Sequence, residues 1–222
     1  MPQQKNKKIF LYFFLLLIIG TFNNKNLDKI KFAKIANVNV TGLDEDGNVK
    51  IVDSLNFLKI NNLFFLDKTE IKKIIQANNS IEKFSIFKKY PSTLNIELDK
   101  TIFLAQLKKD NDIFFIGSNR KLIKSSSIEK NIPFIFGDFN IENFFQLKKA
   151  MKDSNFEYIQ IKNLFFFKSG RWDIEMKSGP LIKLSNENIQ KSLELAIKIL
   201  NKYDNKVKQI DLRQHKQVII NE

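Results

Sequence analysis

The fold of this chain is indicated first by the stretch from Leu66 to Leu98, LDKTEIKKIIQANNSIEKFSIFKKYPSTLNIEL. Its opening predicts the start of a helix, because Asp67 can cap the backbone and Glu70 can bond back to it. The apolar side chains that follow share one helical face: Ile71, Ile74 and Ile75. A helix therefore begins this stretch, with one face buried.

Two strands are predicted after this helix, over residues 81–87 and 93–98. The second alternates apolar and polar side chains, which is the pattern of a half-buried strand. Upstream, residues 35–40 alternate in the same way, and residues 49–58 are compatible with a helix. Residues 35–100 are thus predicted to form one domain in the order β-α-α-β-β.

The region from residue 101 to 222 is predicted to consist mostly of short strands. These cover residues 102–107, 112–116, 121–124, 133–136, 172–176, 181–184, 207–213 and 216–220. Helices are predicted at 141–153 and over the amphipathic run from Ile189 to Leu200. Ser178-Gly179-Pro180 predicts a turn that makes an antiparallel hairpin of the strands on either side. The fold class is α+β, with a mainly antiparallel second domain and flanking helices.

The N-terminus contains an uncharged run, residues 9–22, which reads IFLYFFLLLIIGTF and follows three lysines. It is shorter than the ~20 residues of a usual spanning helix. A cleaved signal peptide has this charge pattern, but no small-x-small cleavage site follows. A buried core helix would rarely be apolar on every face. We favour a short, single-pass transmembrane anchor over residues 9–24.

The flanks of this segment predict its orientation. The basic residues 1–8 favour a cytoplasmic tail, so that the rest of the chain lies on the far side of the membrane. Residues 25–34 are polar and lysine-rich, and we interpret them as a tether.

The composition excludes several kinds of site. The net charge is +13, but only 3 of the 37 basic residues are arginines: Arg120, Arg171 and Arg213. Arginine is the residue that recognises phosphates and bases in bidentate geometry, so the charge is weak evidence for nucleic-acid binding. Cysteine is absent and His215 is the single histidine, which excludes thiolate chemistry and any site with two imidazoles.

No motif in the chain predicts catalysis or a cofactor. Asp44-Glu45-Asp46 begins like a calcium loop, but Leu55 stands where the bidentate Glu is needed, so we interpret it as a polar turn. Glycine-rich phosphate loops and nucleophile elbows are missing. His215 is predicted to lie in an exposed turn. We therefore expect no enzyme activity, no metal, no cofactor and no small-molecule substrate.

The last predicted strand is the candidate binding element, Lys216, Gln217, Val218, Ile219 and Ile220. A strand at the edge of a sheet offers unpaired backbone groups that are either blunted or used for binding. Closure of the core by its apolar side chains is the simpler interpretation. Asp211 and Arg213, two residues apart on one strand, form a possible partner surface or a weak ion pair.

Several stretches, taken in order, resemble the bacterial division proteins of the FtsQ/DivIB family. They are Asn62-Leu63-Phe64-Phe65-Leu66-Asp67, Lys88-Lys89-Tyr90-Pro91-Ser92-Thr93-Leu94, Ile113-Phe114-Phe115-Ile116-Gly117, Gly170-Arg171-Trp172, Ser178-Gly179-Pro180-Leu181 and Ile210-Asp211-Leu212-Arg213. The resemblance extends over essentially the whole chain. It departs at Lys100, where an acid is usual, and at Phe103-Leu104-Ala105.

This resemblance implies a POTRA domain over residues 35–100 and an FtsQ-type β domain over residues 101–222. It implies a non-enzymatic scaffold of the division septum in the bacterial inner membrane, with its bulk in the periplasm. The implied partners are FtsB- and FtsL-like proteins and other divisome membrane proteins, one of which adds a strand at residues 216–220. A POTRA-bearing transport or assembly factor that binds extended polypeptides is the alternative; a wall hydrolase is unsupported by any residue.

Overall fold

The computed structural model describes residues 3–22, 33–203, 207–214 and 217–221. The chain divides into two compact units. One comprises Met1–Ile75 and Phe84–Leu98, and the other comprises Gln76–Lys83 and Asp99–Glu222.

Helix α1 runs from Gln3 to Phe22, and its large apolar side chains from Ile9 to Ile19 are exposed on all sides. Among the residues with described positions, no helix combines the length and hydrophobicity needed to cross a membrane. Most of the predicted tether, residues 25–32, lies outside the described residues.

The β-α-α-β-β order is confirmed. Its elements are β1 (Asn37–Thr41), α2 (Glu45–Ser54), a 3-10 helix (Asn56–Ile60), α3 (Lys68–Ala77), β2 (Ile81–Lys89) and β3 (Thr93–Lys100). The three strands form a sheet in the order β1-β3-β2, with β1 parallel to β3. Val40 pairs with Ile96 in this register, and both are buried.

The helix starts differ in one respect from the sequence prediction. Helix α2 begins four residues before the predicted Val49, because the Asp44 side chain accepts a hydrogen bond from the Gly47 N–H at 2.8 Å. Asp44-Glu45-Asp46, interpreted as a polar turn, thus starts a helix. The cap predicted for α3 is present, since Asp67 accepts from the Thr69 N–H at 2.9 Å.

The second unit contains a nine-stranded sheet. Its strands are β4 (Phe103–Lys109), β5 (Asp112–Gly117), β6 (Leu122–Ser125), β7 (Phe134–Phe136), β8 (Ile161–Phe166), β9 (Trp172–Met176), β10 (Leu181–Lys183), β11 (Gln209–Asp211) and β12 (Ile219–Asn221). They lie in the order β12-β11-β10-β9-β8-β7-β4-β5-β6. Most neighbours pair antiparallel, as predicted, while β4/β7, β7/β8 and β10/β11 are parallel.

Two helices cover one face of this sheet, α4 (Ile141–Asp153) and α5 (Ile189–Tyr203). The sheet contributes buried residues in adjacent register: Ile135, Leu164, Ile174, Ile182 and Ile210. The helices contribute Phe144, Leu147, Leu193 and Ala196 to the same core. Removal of these apolar side chains from water stabilises the packing of the helices on the sheet.

The predicted hairpin is confirmed, since Ile174 of β9 pairs with Ile182 of β10. Strand β8 was not predicted. It follows a short 3-10 helix (Tyr158–Gln160), and its sequence IKNLFF lacks the alternation that reveals a half-buried strand.

Candidate partner-binding edge

Strand β12 lies at one end of the nine-stranded sheet and pairs on one side with β11. The register is antiparallel, with Asp211 opposite Ile219 and Ile210 opposite Ile220. Within the described part of the chain, no strand pairs with the other side of β12. The backbone groups on that side are therefore available to an added strand.

The side chains of the predicted binding strand divide between two faces. Ile220 packs against the core of the second unit, whereas Ile219 is 50% exposed. Val218 and Gln217 are also exposed, just before β12 begins. Lys216 lies outside the described residues. The predicted strand is thus shorter than expected. Ile220 closes the core, as the simpler interpretation predicted, and Ile219 faces outward; partner binding at this strand stays a prediction.

A groove with a volume of about 520 Å³ lies beside this segment. Its lining comes from the start of α5, the loop before it and the segment next to β12: Ser185, Glu187, Asn188, Lys191, Ser192, Leu195, Leu212, Gln214, Gln217 and Val218. Leu195, Leu212 and Val218 supply apolar surface, and the amides supply hydrogen-bonding groups. Such a groove can accept a side chain from a strand bound at the adjacent edge.

Asp211 and Arg213 form a bidentate pair at the end of β11. The Arg213 Nε donates to Asp211 Oδ1 at 2.8 Å and to Oδ2 at 3.0 Å, and the Arg213 Nη2 also donates to Oδ2. The Arg213 backbone N–H donates to Oδ1 at 3.1 Å. Asp211 is only 5% exposed. These hydrogen bonds from Arg213 hold the pKa of Asp211 below its ordinary value. The pair is therefore a buried carboxylate held by an arginine, which is more than the weak ion pair that the sequence suggested.

A row of alternating charges extends from this pair across the sheet. We call it the charge row, and it consists of Arg213, Asp211, Lys183, Asp173 and Arg171. Lys183 of β10 stands next to Asp211 on one side and next to Asp173 of β9 on the other. Asp173 is 4% exposed and accepts from the Arg171 Nε at 3.0 Å. Burial raises the pKa of Asp173, while Arg171 and Lys183 oppose this shift. The polar positions of an alternating strand usually face water, but at Asp173 the carboxylate is buried beside two cations.

Two of the three arginines, Arg171 and Arg213, bind a buried aspartate through the guanidinium group. Arg213 is bidentate to Asp211, and Arg171 binds Asp173 while its guanidinium lies 4.1 Å from the centre of the Phe167 ring. Arg120 donates to both oxygens of Glu142 and stacks on Phe145. A planar guanidinium can combine two parallel hydrogen bonds with stacking. Arg171 and Arg213 thus hold buried carboxylates, whereas both side chains of the Arg120–Glu142 pair are largely exposed.

Two other titratable side chains, Tyr158 and Lys148, pack against each other inside the second unit. The Tyr158 hydroxyl donates to the Leu104 carbonyl at 2.6 Å, and burial raises the pKa of Tyr158. Lys148 lies over the Tyr158 ring, and burial lowers the pKa of Lys148. Among the residues with described positions, no group of three acidic or histidine side chains could hold a metal ion. His215 lies outside them.

Comparison with known proteins shows the family. A model of the "POTRA domain, FtsQ-type" matches residues 33–100, and one of the "Cell division protein FtsQ/DivIB, C-terminal" region matches residues 105–213. The chain belongs to the FtsQ/DivIB family of cell division proteins. The two matches follow each other in the order that the sequence landmarks indicated.

Relatives within the FtsQ/DivIB family match over most of their length. The cell division protein DivIB of Clostridium botulinum (strain Hall) is 27% identical, covering 88% of this chain and 82% of the relative. FtsQ of Rickettsia bellii is 28% identical, covering 81% and 69%. The solved extracytoplasmic domain of DivIB from Geobacillus stearothermophilus is 13% identical, with a TM-score of 0.33, covering 50% of this chain and 99% of that domain.

Sequence reasoning missed the groove and part of the charge row of this FtsQ/DivIB chain. Leu195 belongs to the predicted amphipathic helix, and no local pattern indicates that Leu212 and Val218 lie beside it. The sequence does contain a signal for the ion pair between Arg171 and Asp173. These two residues have the same spacing as Asp211 and Arg213, in reverse order. The pairing of Lys183 with both aspartates required the strand register.

Proposed function

We propose that this chain is a non-enzymatic scaffold of the bacterial division machinery that recruits FtsB- and FtsL-like membrane partners at the septum. The observation that carries the proposal is the open edge of β12, with Ile219 exposed beside the groove lined by Leu195, Leu212 and Val218. Through these partners the scaffold helps to control septal peptidoglycan synthesis. Family membership supports the division role.

The binding mode that we propose is strand addition. A partner segment lies along β12 and forms main-chain hydrogen bonds with its open side, which supply affinity without demanding a particular sequence. Selectivity comes from side chains: one partner residue enters the groove, and another contacts Ile219. The Asp211–Arg213 pair stiffens the end of β11 and thereby positions the edge.

We further propose the domain limits and the topology. Residues 35–100 form the POTRA domain and residues 101–222 the FtsQ-type β domain. Residues 9–24 form the anchor, residues 1–8 the cytoplasmic tail and residues 25–34 the tether. The apolar surface of α1 from Ile9 to Ile19 supports anchoring, because such a surface is stable only when it is removed from water. A short apolar run can be accommodated by local thinning of the bilayer.

The test is the affinity of the full chain for a synthetic periplasmic segment of an FtsB-like partner, measured in detergent micelles. Ile219→Glu is expected to weaken binding at least about tenfold, because it places a charge on the surface that the added strand covers. Ile128→Glu is the matched control, since Ile128 is exposed in a loop away from β12. It should leave binding unchanged.

Two results would contradict the proposal. Ile219→Glu with unaltered affinity would exclude the β12 edge as the contact. Equal affinity for many unrelated extended peptides would favour the alternative, a transport or assembly factor of low selectivity. Circular dichroism of both variants ensures that a loss of binding is not a loss of fold.

A further inference from the structure

The first unit carries a cluster of exposed apolar and aromatic side chains that the proposed division role does not use. We call it the aromatic patch: Phe64, Phe65 and Tyr90. Ile60, which precedes them in the chain, is also exposed. Phe65 is 71% exposed and meets Phe64 edge-to-face, with 5.1 Å between ring centres. The Tyr90 ring lies 6.4 Å from that of Phe64. Contiguous exposed apolar surface of this kind marks an interaction site.

The patch lies where the chain enters the β-α-α-β-β domain of the first unit. Lys34 forms an antiparallel bridge with Asn62, and the Ile35 N–H donates to the Asn61 carbonyl at 3.0 Å. The entry point is thus two residues from Phe64. Residues 23–32 connect the end of α1 to this entry point. Because a segment of this length spans at most roughly 40 Å when fully extended, the entry point lies within that distance of α1. If α1 is held in a bilayer, as proposed above, the patch is held near that bilayer.

Three lysines lie next to these residues, two in sequence and one by contact. Lys59 adjoins Ile60, Lys89 adjoins Tyr90, and the Lys88 Nζ lies over the same loop, 3.1 Å from the Leu66 carbonyl oxygen. The acidic side chains beside Phe65 are Asp67 and Glu70, which line a small groove with it. Asp67 is engaged by Thr69 and lies close to two further lysines, Lys72 and Lys73. Positive charge therefore predominates around the aromatic rings.

We propose that the aromatic patch seats the first unit on an anionic membrane surface. A tyrosine ring, with its polar hydroxyl, favours the headgroup region of a bilayer, and phenylalanine rings insert at the boundary with the acyl chains. Lysines beside them are attracted to anionic lipids. Phe64 and Phe65 enter the headgroup–acyl boundary, while Lys59 and Lys89 contact lipid phosphates. This contact fixes the orientation of the first unit at the membrane, in addition to the tether.

The test uses the full chain in proteoliposomes of phosphatidylglycerol and phosphatidylcholine with brominated acyl chains. The native chain has a single tryptophan, Trp172, which is buried in the second unit. Phe65→Trp adds a reporter in the patch, and its fluorescence is expected to shift to the blue and to be quenched by the brominated lipid. Ile159→Trp is the matched control at a site that is 73% exposed.

The charge dependence is tested with Lys59→Glu and Lys89→Glu in the Phe65→Trp background. Together they are expected to shift the equilibrium between the seated and the unseated patch at least about twentyfold towards the unseated state. Each lysine near an anionic surface favours the seated state about fivefold. In vesicles of phosphatidylcholine alone, the Phe65→Trp chains with and without the two Lys→Glu substitutions should show similar quenching.

Equal quenching of the tryptophans introduced by Phe65→Trp and by Ile159→Trp would contradict the proposal. A blue shift in the Phe65→Trp variant without quenching would also contradict it, and would assign the patch to a protein partner or a second copy. Vesicle flotation separates this outcome from failure of the anchor. A chain that does not float with the vesicles contradicts the anchor, whereas a Phe65→Trp chain that floats without quenching of its introduced tryptophan contradicts only the seating of the patch. Binding of the FtsB-like segment is measured on the same sample.

Discussion

The two buried aspartates of the charge row should respond differently to the same substitution, since only one of the two variants is expected to lose stability. Asp211→Asn removes a charge that Arg213 binds through both oxygens, so it should destabilise the second unit at neutral pH. Asp173→Asn removes a charge that burial disfavours, and the Asn oxygen can still accept from the Arg171 Nε. It should therefore be neutral or stabilising.

The expected magnitude follows from the contacts. Hydrogen bonds to charged groups contribute roughly 1.5–3 kcal/mol. Since the Arg213 side chain is 43% exposed and can return to water, we expect Asp211→Asn to lower the free energy of unfolding by about 1–2 kcal/mol. For a unit of this size the melting temperature should fall by roughly 3–8 °C. Asp173→Asn should stay within about 0.5 kcal/mol of the wild type or exceed it.

The pH dependence has opposite signs at the two positions. The folded-state pKa of Asp211 is lowered, so its contribution to stability is present above the unfolded-state pKa and is lost as the pH falls through the folded value. The folded-state pKa of Asp173 is raised, so its contribution is present below the unfolded-state pKa and is lost as the pH rises through the folded value.

Urea unfolding, followed by the fluorescence of Trp172 in the core of the second unit, measures both effects. The difference between the wild type and Asp211→Asn should shrink as the pH falls below about 4. The reasoning is refuted if Asp173→Asn is the more damaging variant at neutral pH, or if the Asp211→Asn difference does not depend on acidification.

Three further predictions concern the second unit. Gly137 and Gly179 have similar positive φ values, 107° and 115°, but a Cβ at Gly137 would lie 2.1 Å from the Phe166 carbonyl oxygen while that at Gly179 meets nothing. Gly137→Ala should therefore lower the free energy of unfolding by several kcal/mol, and Gly179→Ala should lower it by only about 1–2 kcal/mol. Equal losses of unfolding free energy in urea would contradict this. Leu147→Ala should lower the unfolding free energy by about 2–5 kcal/mol by opening a cavity in the core, and a loss below about 1 kcal/mol would show that the core is poorly packed there. Arg120→Lys should change stability by less than about 0.5 kcal/mol, because both it and Glu142 are largely exposed; a thermal shift of more than a few degrees would indicate a larger role.

The first unit was predictable because its signals are local. The alternation of residues 93–98 and the cap at Asp67 each depend on a few neighbouring residues. The sequence predicts the start of α2 four residues too far along the chain, because Asp44 lies among other acids and is also typical of a polar turn. The capping function of that side chain was the stronger signal.

The candidate site was less predictable because it depends on strand register. Lys183 lies between Asp173 and Asp211 only because β10 pairs antiparallel with β9 and parallel with β11. The groove likewise joins Leu195 to Val218 from elements distant in sequence. The location of the last strand at the end of the sheet was predicted, but the division of Ile219 and Ile220 between its two faces required the structure.

The central claim is that a partner strand adds to β12, and amide hydrogen exchange of the full chain with and without the FtsB-like segment tests it most directly. Strand addition predicts that the amides of residues 217–221 exchange more slowly when the segment is bound, because new main-chain hydrogen bonds protect them. Strand β6, at the opposite end of the same sheet, should be unaffected. Binding of the segment without added protection at residues 217–221 would contradict the account.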